Sequence, residues 1–251
     1  GDQNDPAGEI NRECHAGTVP SKCLVVYERV SMSAVTSKLR DDGILVVTMA
    51  QPPVNALSVQ GWFDVAEALN AVAANPAVKV VILRAEGKGF NAGVDIKEMQ
   101  NTIGFDALIG ANKGCFAAFK AVYECAVPVI AAVNGFCVGG GVGLVGNADI
   151  VVASDDAYFG VPEVNQGALG AATHMARLVP QQMMRALYFT AATIPASELH
   201  RFGSIYRLVP RAELDAAALA VAAEIAAKDG RVIRAAKEAL NGIEPVDVNH
   251  S

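Results

Sequence analysis

The chain has 251 residues, 52% of them hydrophobic and 18% charged, with a formal net charge of −6 and a mean hydropathy of +0.31. So much apolar surface with so little net charge excludes disorder, and the length suffices for one large domain with a buried core. With 20 basic residues against 26 acidic ones, no phosphate-neutralising field forms, so nucleic acid is excluded as the expected partner.

Residues 1–31 show no sustained period and are rich in turn formers. They are expected to be a leader or extension of uncertain origin, with Leu24–Tyr27 as a candidate edge strand. The N-terminus has no basic segment followed by an apolar one, so no secretory signal is expected. From Met32 the pattern becomes globular. Ile44–Met49 predicts a strand, Ser58–Ala74 a helix capped by Ser58, and Val78–Ala85 a buried strand. After a glycine-bearing loop, Phe105–Glu124 predicts a long helix, Val127–Val133 a strand and Gly140–Gly146 the start of another helix. Ile150–Ala153 and Ala157–Phe159 are short strands, and helices follow from about Ala171, interrupted by a strand near Tyr206–Val209. Repeated strand–helix units imply an α/β fold with parallel strands, its core spanning 32–195 and a helical C-terminal region spanning 196–251.

One run, CAVPVIAAVNGFCVGGGVGLVGNA, is uncharged and long enough to cross a bilayer. Pro128, Asn134-Gly135 and Gly139-Gly140-Gly141 interrupt any continuous helix, and no Lys/Arg cluster flanks the run. It is therefore read as a buried strand, a turn and a packed helix, and no membrane partner is expected. Cys14, Cys23, Cys115, Cys125 and Cys137 lack metal-ligand spacing, and His15, His174, His200 and His250 are scattered. No metal site is expected; reduced thiols in a cytoplasmic protein are.

Chemistry concentrates in two stretches, Gly87–Met99 (GKGFNAGVDIKEM) and Asn134–Gly143 (NGFCVGGGVG). Each follows a buried strand and opens toward a helix. Small residues there let backbone approach a ligand, and free N–H groups can meet developing negative charge. Two such donors converging on one oxygen would form an oxyanion hole; close packing of helix on strand is the alternative use of the glycines. Neither stretch has a dinucleotide or nucleoside-triphosphate fingerprint.

FNAGVDIKEM, AAVNGFCVGGGVGL and ADIVVASDDAYFGVPEV, in this order, resemble the crotonase (enoyl-CoA hydratase/isomerase) superfamily, over about residues 33–245. The resemblance implies a crotonase-like spiral of ββα units with a helical C-terminal region, assembled as homotrimers or dimers of trimers. It implies an acyl-CoA substrate, no cofactor beyond the CoA moiety, and an enolate held by two backbone N–H groups. Those donors fall on Val94 and Gly140, while Val94, Asp95, Ile96, Lys97 and Gly140 would border the CoA. Lys237 resembles a late lysine that reaches CoA phosphates, often from a neighbouring subunit; a solvated helical charge is the other reading.

Family hydratases use two glutamates, and the matching positions here are Gly143 and Glu163. Glycine cannot move a proton, so ordinary hydration is expected to be weak or absent, while Glu163 can still activate one water. His174, where a glycine-rich turn enters a helix, is a candidate to bind a substrate carbonyl or share in water activation, or else a packing histidine. Asp95 is also suited to cap a short helix over 95–100, and Asp155-Asp156 to form a turn. Trp62, Phe105, Phe116 and Tyr123 could line the acyl site, although helical spacing suits core residues equally well.

Within the family, RAEGKGFNAGVDIKEMQ, AAFKAVYECAVPVIAAVNGFCVGGGVGLVGNADIVVASDDA and RVIRAAKEALN resemble a branch of ring-opening hydrolases from steroid (cholesterol) degradation. That branch opens the five-membered ring of a methylated bicyclic dione CoA thioester. A fatty-acid-type hydratase or isomerase and a non-catalytic acyl-CoA-binding subunit are the alternatives. The family usually continues with a final helix and tail, so the resemblance implies a truncated C-terminal region.

Overall fold

Residues 33–243 are described in a computed structural model of the chain; the leader expected over 1–31, with its candidate strand Leu24–Tyr27, lies outside the described residues. Strand β1 (Val35–Leu39) is a mostly exposed edge, running antiparallel to β2 (Ile44–Met49). Helix α1 (Val59–Asn70) starts at Ser58, whose side chain accepts from the Gly61 N–H, and tightens into a 3-10 turn over Ala71–Ala74. Strand β3 (Val80–Ala85) then pairs in parallel with β2. Helices α2 (Ile96–Asn101) and α3 (Asp106–Tyr123) precede β4 (Val129–Val133) and the three-residue β5 (Phe136–Val138). Next come α4 (Gly140–Asn147), β6 (Ile150–Ser154) and β7 (Tyr158–Gly160).

The remaining elements are α5 (Ala172–Met175), α6 (Gln181–Thr190), β8 (Thr193–Pro195), α7 (Ala196–Arg201), β9 (Arg207–Val209), α8 (Leu214–Ala226) and α9 (Gly230–Ile243). One six-stranded sheet has the order β1-β2-β3-β4-β6-β9, parallel except at β1, and β5-β7-β8 form a second, small sheet. Both faces of the inner strands β2, β3, β4 and β6 are buried, as parallel sheets require. Alternation decides which side chain goes where: Val81 and Leu83 join the main core with Trp62, while Val80 and Ile82 meet Leu214, Ala218 and Val221 of α8. The C-terminal helices therefore belong to the sheet's packing, and β9 closes its edge.

The long uncharged run folds as β4, β5 and α4, and among the described residues no helix is long and apolar enough to cross a membrane. This sheet and α4 together place two glycine-rich loops side by side.

Candidate active site

The first loop follows β3 and is held by two buried asparagines. Asn55 donates its amide to the Glu86 and Gly89 carbonyls at 2.7 and 2.8 Å, and Asn91 donates to the Asn55 carbonyl at 2.7 Å. Asn91 also accepts the Gly93 N–H at 2.7 Å, folding the backbone back on itself before Val94. Gly93 has φ +88°, a left-handed conformation that suits glycine. On either side of Val94, Gly93 C=O accepts from Leu57 N–H and Asp95 N–H donates to Leu57 C=O, each at 2.9 Å. That bridge takes no proton from Val94, whose N–H remains on the opposite side.

The second loop is stitched to the first, because Val138 N–H donates to the Asn91 carbonyl at 3.0 Å. Gly139 turns the chain at φ +57°, and α4 begins at Gly140, whose N–H stands at a helix start and has no intrahelical acceptor. A Cβ on Gly93 would lie 3.3 Å from Gly140 N, and one on Gly140 would lie 2.7 Å from the Trp62 ring. Glycine at both positions keeps the Val94 and Gly140 segments in contact.

Glu163 reaches this place from a 3-10 turn (Pro162–Gln166) following β7. A Cβ on Gly139 would sit 2.8 Å from its Oε1, and one on Gly170 2.5 Å from its Oε2, so the carboxylate nests against two bare backbones. Oε2 is buried without a hydrogen-bond partner among the described residues. Burial raises the carboxyl pKa above the ordinary 4.5, since the charged form loses solvation. The Cys115 thiol on α3 is pushed up to about 12 by burial and by the Glu163 charge, and stays protonated. Cys125 and Cys137 are also buried free thiols, and among the described residues no cluster could hold a metal ion.

His174 is 3% exposed, and its Nδ1 lies 2.9 Å from the Asn147 amide nitrogen. That same nitrogen donates to the Gly143 carbonyl at 2.8 Å, which fixes the amide's orientation and leaves Nδ1 as acceptor. The neutral ring therefore carries its proton on Nε2. Its face-to-edge contact with Phe119 completes an environment that suits the packing reading of this histidine. Burial, with the Arg177 charge, lowers its pKa to about 4. The folded state thus binds fewer protons than the unfolded one between pH 6.5 and about 4. Stability should fall as pH drops through that window, and thermal melts of His174→Gln should show a shallower decline.

Lys237 requires a correction. Its side chain is 4% exposed and its ammonium lies 2.7 and 2.6 Å from the two Asp149 oxygens, over the Tyr123 ring. It is neither a solvated charge nor free to meet a CoA phosphate, because the pairing already uses it to fasten α9 under the sheet. Lys237→Ala would strand the Asp149 carboxylate and should lower stability by on the order of 3 kcal/mol, measured by chemical denaturation.

Asp95 caps α2, accepting from Lys97 N–H at 2.9 Å and Glu98 N–H at 3.4 Å. Ile96 and Lys97 form an exposed rim beside Val94. Trp62 and Tyr123 are core, whereas Phe105 (73% exposed) and Phe116 (37% exposed) face outward.

A family model described as Enoyl-CoA hydratase/isomerase matches residues 40–245. The chain belongs to the enoyl-CoA hydratase/isomerase family. A relative from Mycobacterium tuberculosis is 66% identical over 86% of this chain and 88% of its own length, and one from Rhodococcus jostii is 65% identical over 86% and 84%. Both are named (7aS)-7a-methyl-1,5-dioxo-2,3,5,6,7,7a-hexahydro-1H-indene-carboxyl-CoA hydrolase. A Mycobacterium bovis relative named probable enoyl-CoA hydratase is 33% identical over 80% of this chain and 79% of its own. Among solved structures, the enoyl-CoA hydratase of Mycobacterium smegmatis superposes with TM-score 0.81 at 26% identity, covering 87% of this chain and 86% of that one. Human enoyl coenzyme A hydratase domain-containing protein 3 gives 0.79 at 30% identity, covering 86% of each.

The family fold is thus the one expected from sequence. Asn91, two residues before Gly93, carries a recognisable turn-forming signal, whereas Asn55, followed by Ala56 and Leu57, carries none. Glu98, whose carboxylate accepts the Val59 N–H at 2.7 Å and so caps α1, had no such signal, because its partner is distant in sequence.

Proposed function

We propose that this enzyme is a CoA-thioester hydrolase that opens the five-membered ring of a methylated bicyclic dione carboxyl-CoA by adding water across a C–C bond. The observation that carries this reading at the site is Glu163, a single carboxylate with a buried, unpartnered oxygen. Identity of 65–66% to two relatives of that name supports the substrate.

In the proposed sequence, Glu163 takes a proton from water as its oxygen attacks the five-membered-ring ketone. The bond from that carbon to the ring-fusion carbon then breaks, and the ketone becomes a carboxylic acid. The electron pair spreads through the ring alkene into the thioester oxygen, where the Val94 and Gly140 N–H groups receive it. Returning the proton to the ring-fusion carbon completes the addition of one water. Neither a second carboxylate nor any cofactor beyond the substrate's CoA is needed. A homotrimer or dimer of trimers in the cytoplasm belongs to the same reading, which the buried reduced thiols suit.

The test is mass spectrometry of the bicyclic dione CoA ester incubated with the protein. A gain of one water, with a new carboxyl group on the same CoA ester, is expected; recovery of unchanged substrate overturns the reading.

A further inference from the structure

The position that would hold a second acid is occupied. Position 143 lies one turn into α4, on the same face as Gly139 and Gly140. A Cβ built on Gly143 would collide with the tip of the Phe119 ring, closer to three of its carbons than any real contact. Phe119 comes from α3, one turn beyond Cys115, whose thiol feels the Glu163 charge. Facing rows of α3 and α4 therefore meet beside the single carboxylate.

Two aromatic neighbours limit where the ring can go. Trp62 meets it edge-on, with centroids 5.8 Å apart at 86°, and His174 meets it at 4.9 Å and 67°. His174 is tethered to Asn147, which in turn grips the Gly143 carbonyl, so the circuit of contacts closes on the glycine that the ring covers. Phe119 itself is only partly buried, packed on the core with part of its surface uncovered.

We propose that Phe119 is the specificity-determining residue of this site: its ring fills the side-chain space of position 143 and gives the pocket an apolar wall. That wall excludes a second carboxylate, and with it the second proton-transfer group that adding water to an alkene would use. The fused carbocycle of the substrate also carries an alkene, so the wall directs water to the ketone alone. This proposal rests on the ring-opening reading above, but its test is separable from that reading.

Wild type, G143E, F119A and F119A/G143E are assayed with crotonyl-CoA for hydration and melted in parallel. G143E alone should melt well below wild type and hydrate no faster. With the ring removed, F119A/G143E should recover stability relative to G143E and hydrate at least about tenfold faster than wild type, a modest share of what a second acid–base group contributes. F119A alone, lacking an acid, should not gain hydration. The pair G143A and F119A/G143A provides a milder steric comparison: removing the ring should lessen the drop in melting temperature caused by the alanine. Hydration by G143E equal to that of the double variant overturns the proposal. So does a double variant that folds without hydrating, or that fails to fold, since the ring would then not be what keeps the acid out. Failure of wild type to open the bicyclic dione would instead overturn the functional reading, leaving these crotonyl-CoA results to decide the role of Phe119.

Discussion

Glu163→Gln should abolish most ring opening, lowering kcat/KM by roughly 10²–10⁴-fold, the usual contribution of one positioned base. The amide keeps the shape that fits against Gly139 and Gly170 but cannot accept a proton from water. Wild-type activity should fall toward acid with a midpoint above the ordinary glutamate value of 4.5, because burial makes the carboxylate easier to protonate. Stability should move the other way. A carboxyl whose folded pKa is raised stabilises the protein below its unfolded pKa and loses that contribution as pH rises through the folded value. The variant should therefore melt above wild type at pH 8, with the gap shrinking in acid. An unaltered rate in Glu163→Gln would refute the assignment of this base.

Gly93→Ala is the second substitution with a large expected effect. Its methyl would stand 3.3 Å from Gly140 N, where the two loops meet, and obstruct one of two proposed donors. Losing one such donor typically lowers kcat by about 10²–10³-fold. A methyl group at φ +88° also strains the backbone, by about 1–2 kcal/mol. Gly87 separates the two contributions. It has φ +85° in the same loop, yet a Cβ there meets nothing within 4 Å. Gly87→Ala should show a similar loss of stability with activity near wild type. If both variants lose activity equally, backbone strain is the cause and the donor role of the Val94–Gly140 pair fails.

The long elements were legible because burial and period agree in them. Ile44–Met49 is apolar but for Thr48, and the structure begins and ends β2 there. Ser58 and Asp95 announced their helices through their capping chemistry. By contrast, β5 and β8 have three residues each, too few for an alternation, and β1 buries only Val35. Their pairing depends on partners that are distant along the chain.

The site divides in the same way. Val94, Gly140 and Glu163 followed from motif resemblance, since each lies within a short, characteristic string. What surrounds them did not. Lys237 on a polar helix read as a contact to CoA phosphates or as a solvated charge, because nothing local reveals its partner Asp149. Phe119 was one of several aromatic residues on a helix, and only three-dimensional packing shows which of them lies against Gly143. Local chemistry is written in strings; steric exclusion is a relation between distant ones.

The order of strands in the large sheet also bears on how the base is held. Strand β9 pairs with β6, and the whole segment carrying Glu163 and His174 is spanned between them. Both ends of that segment are therefore tied into neighbouring strands of one parallel ladder. The carboxylate hangs from an excursion with two fixed anchors, so the sheet limits how far its carrier can drift.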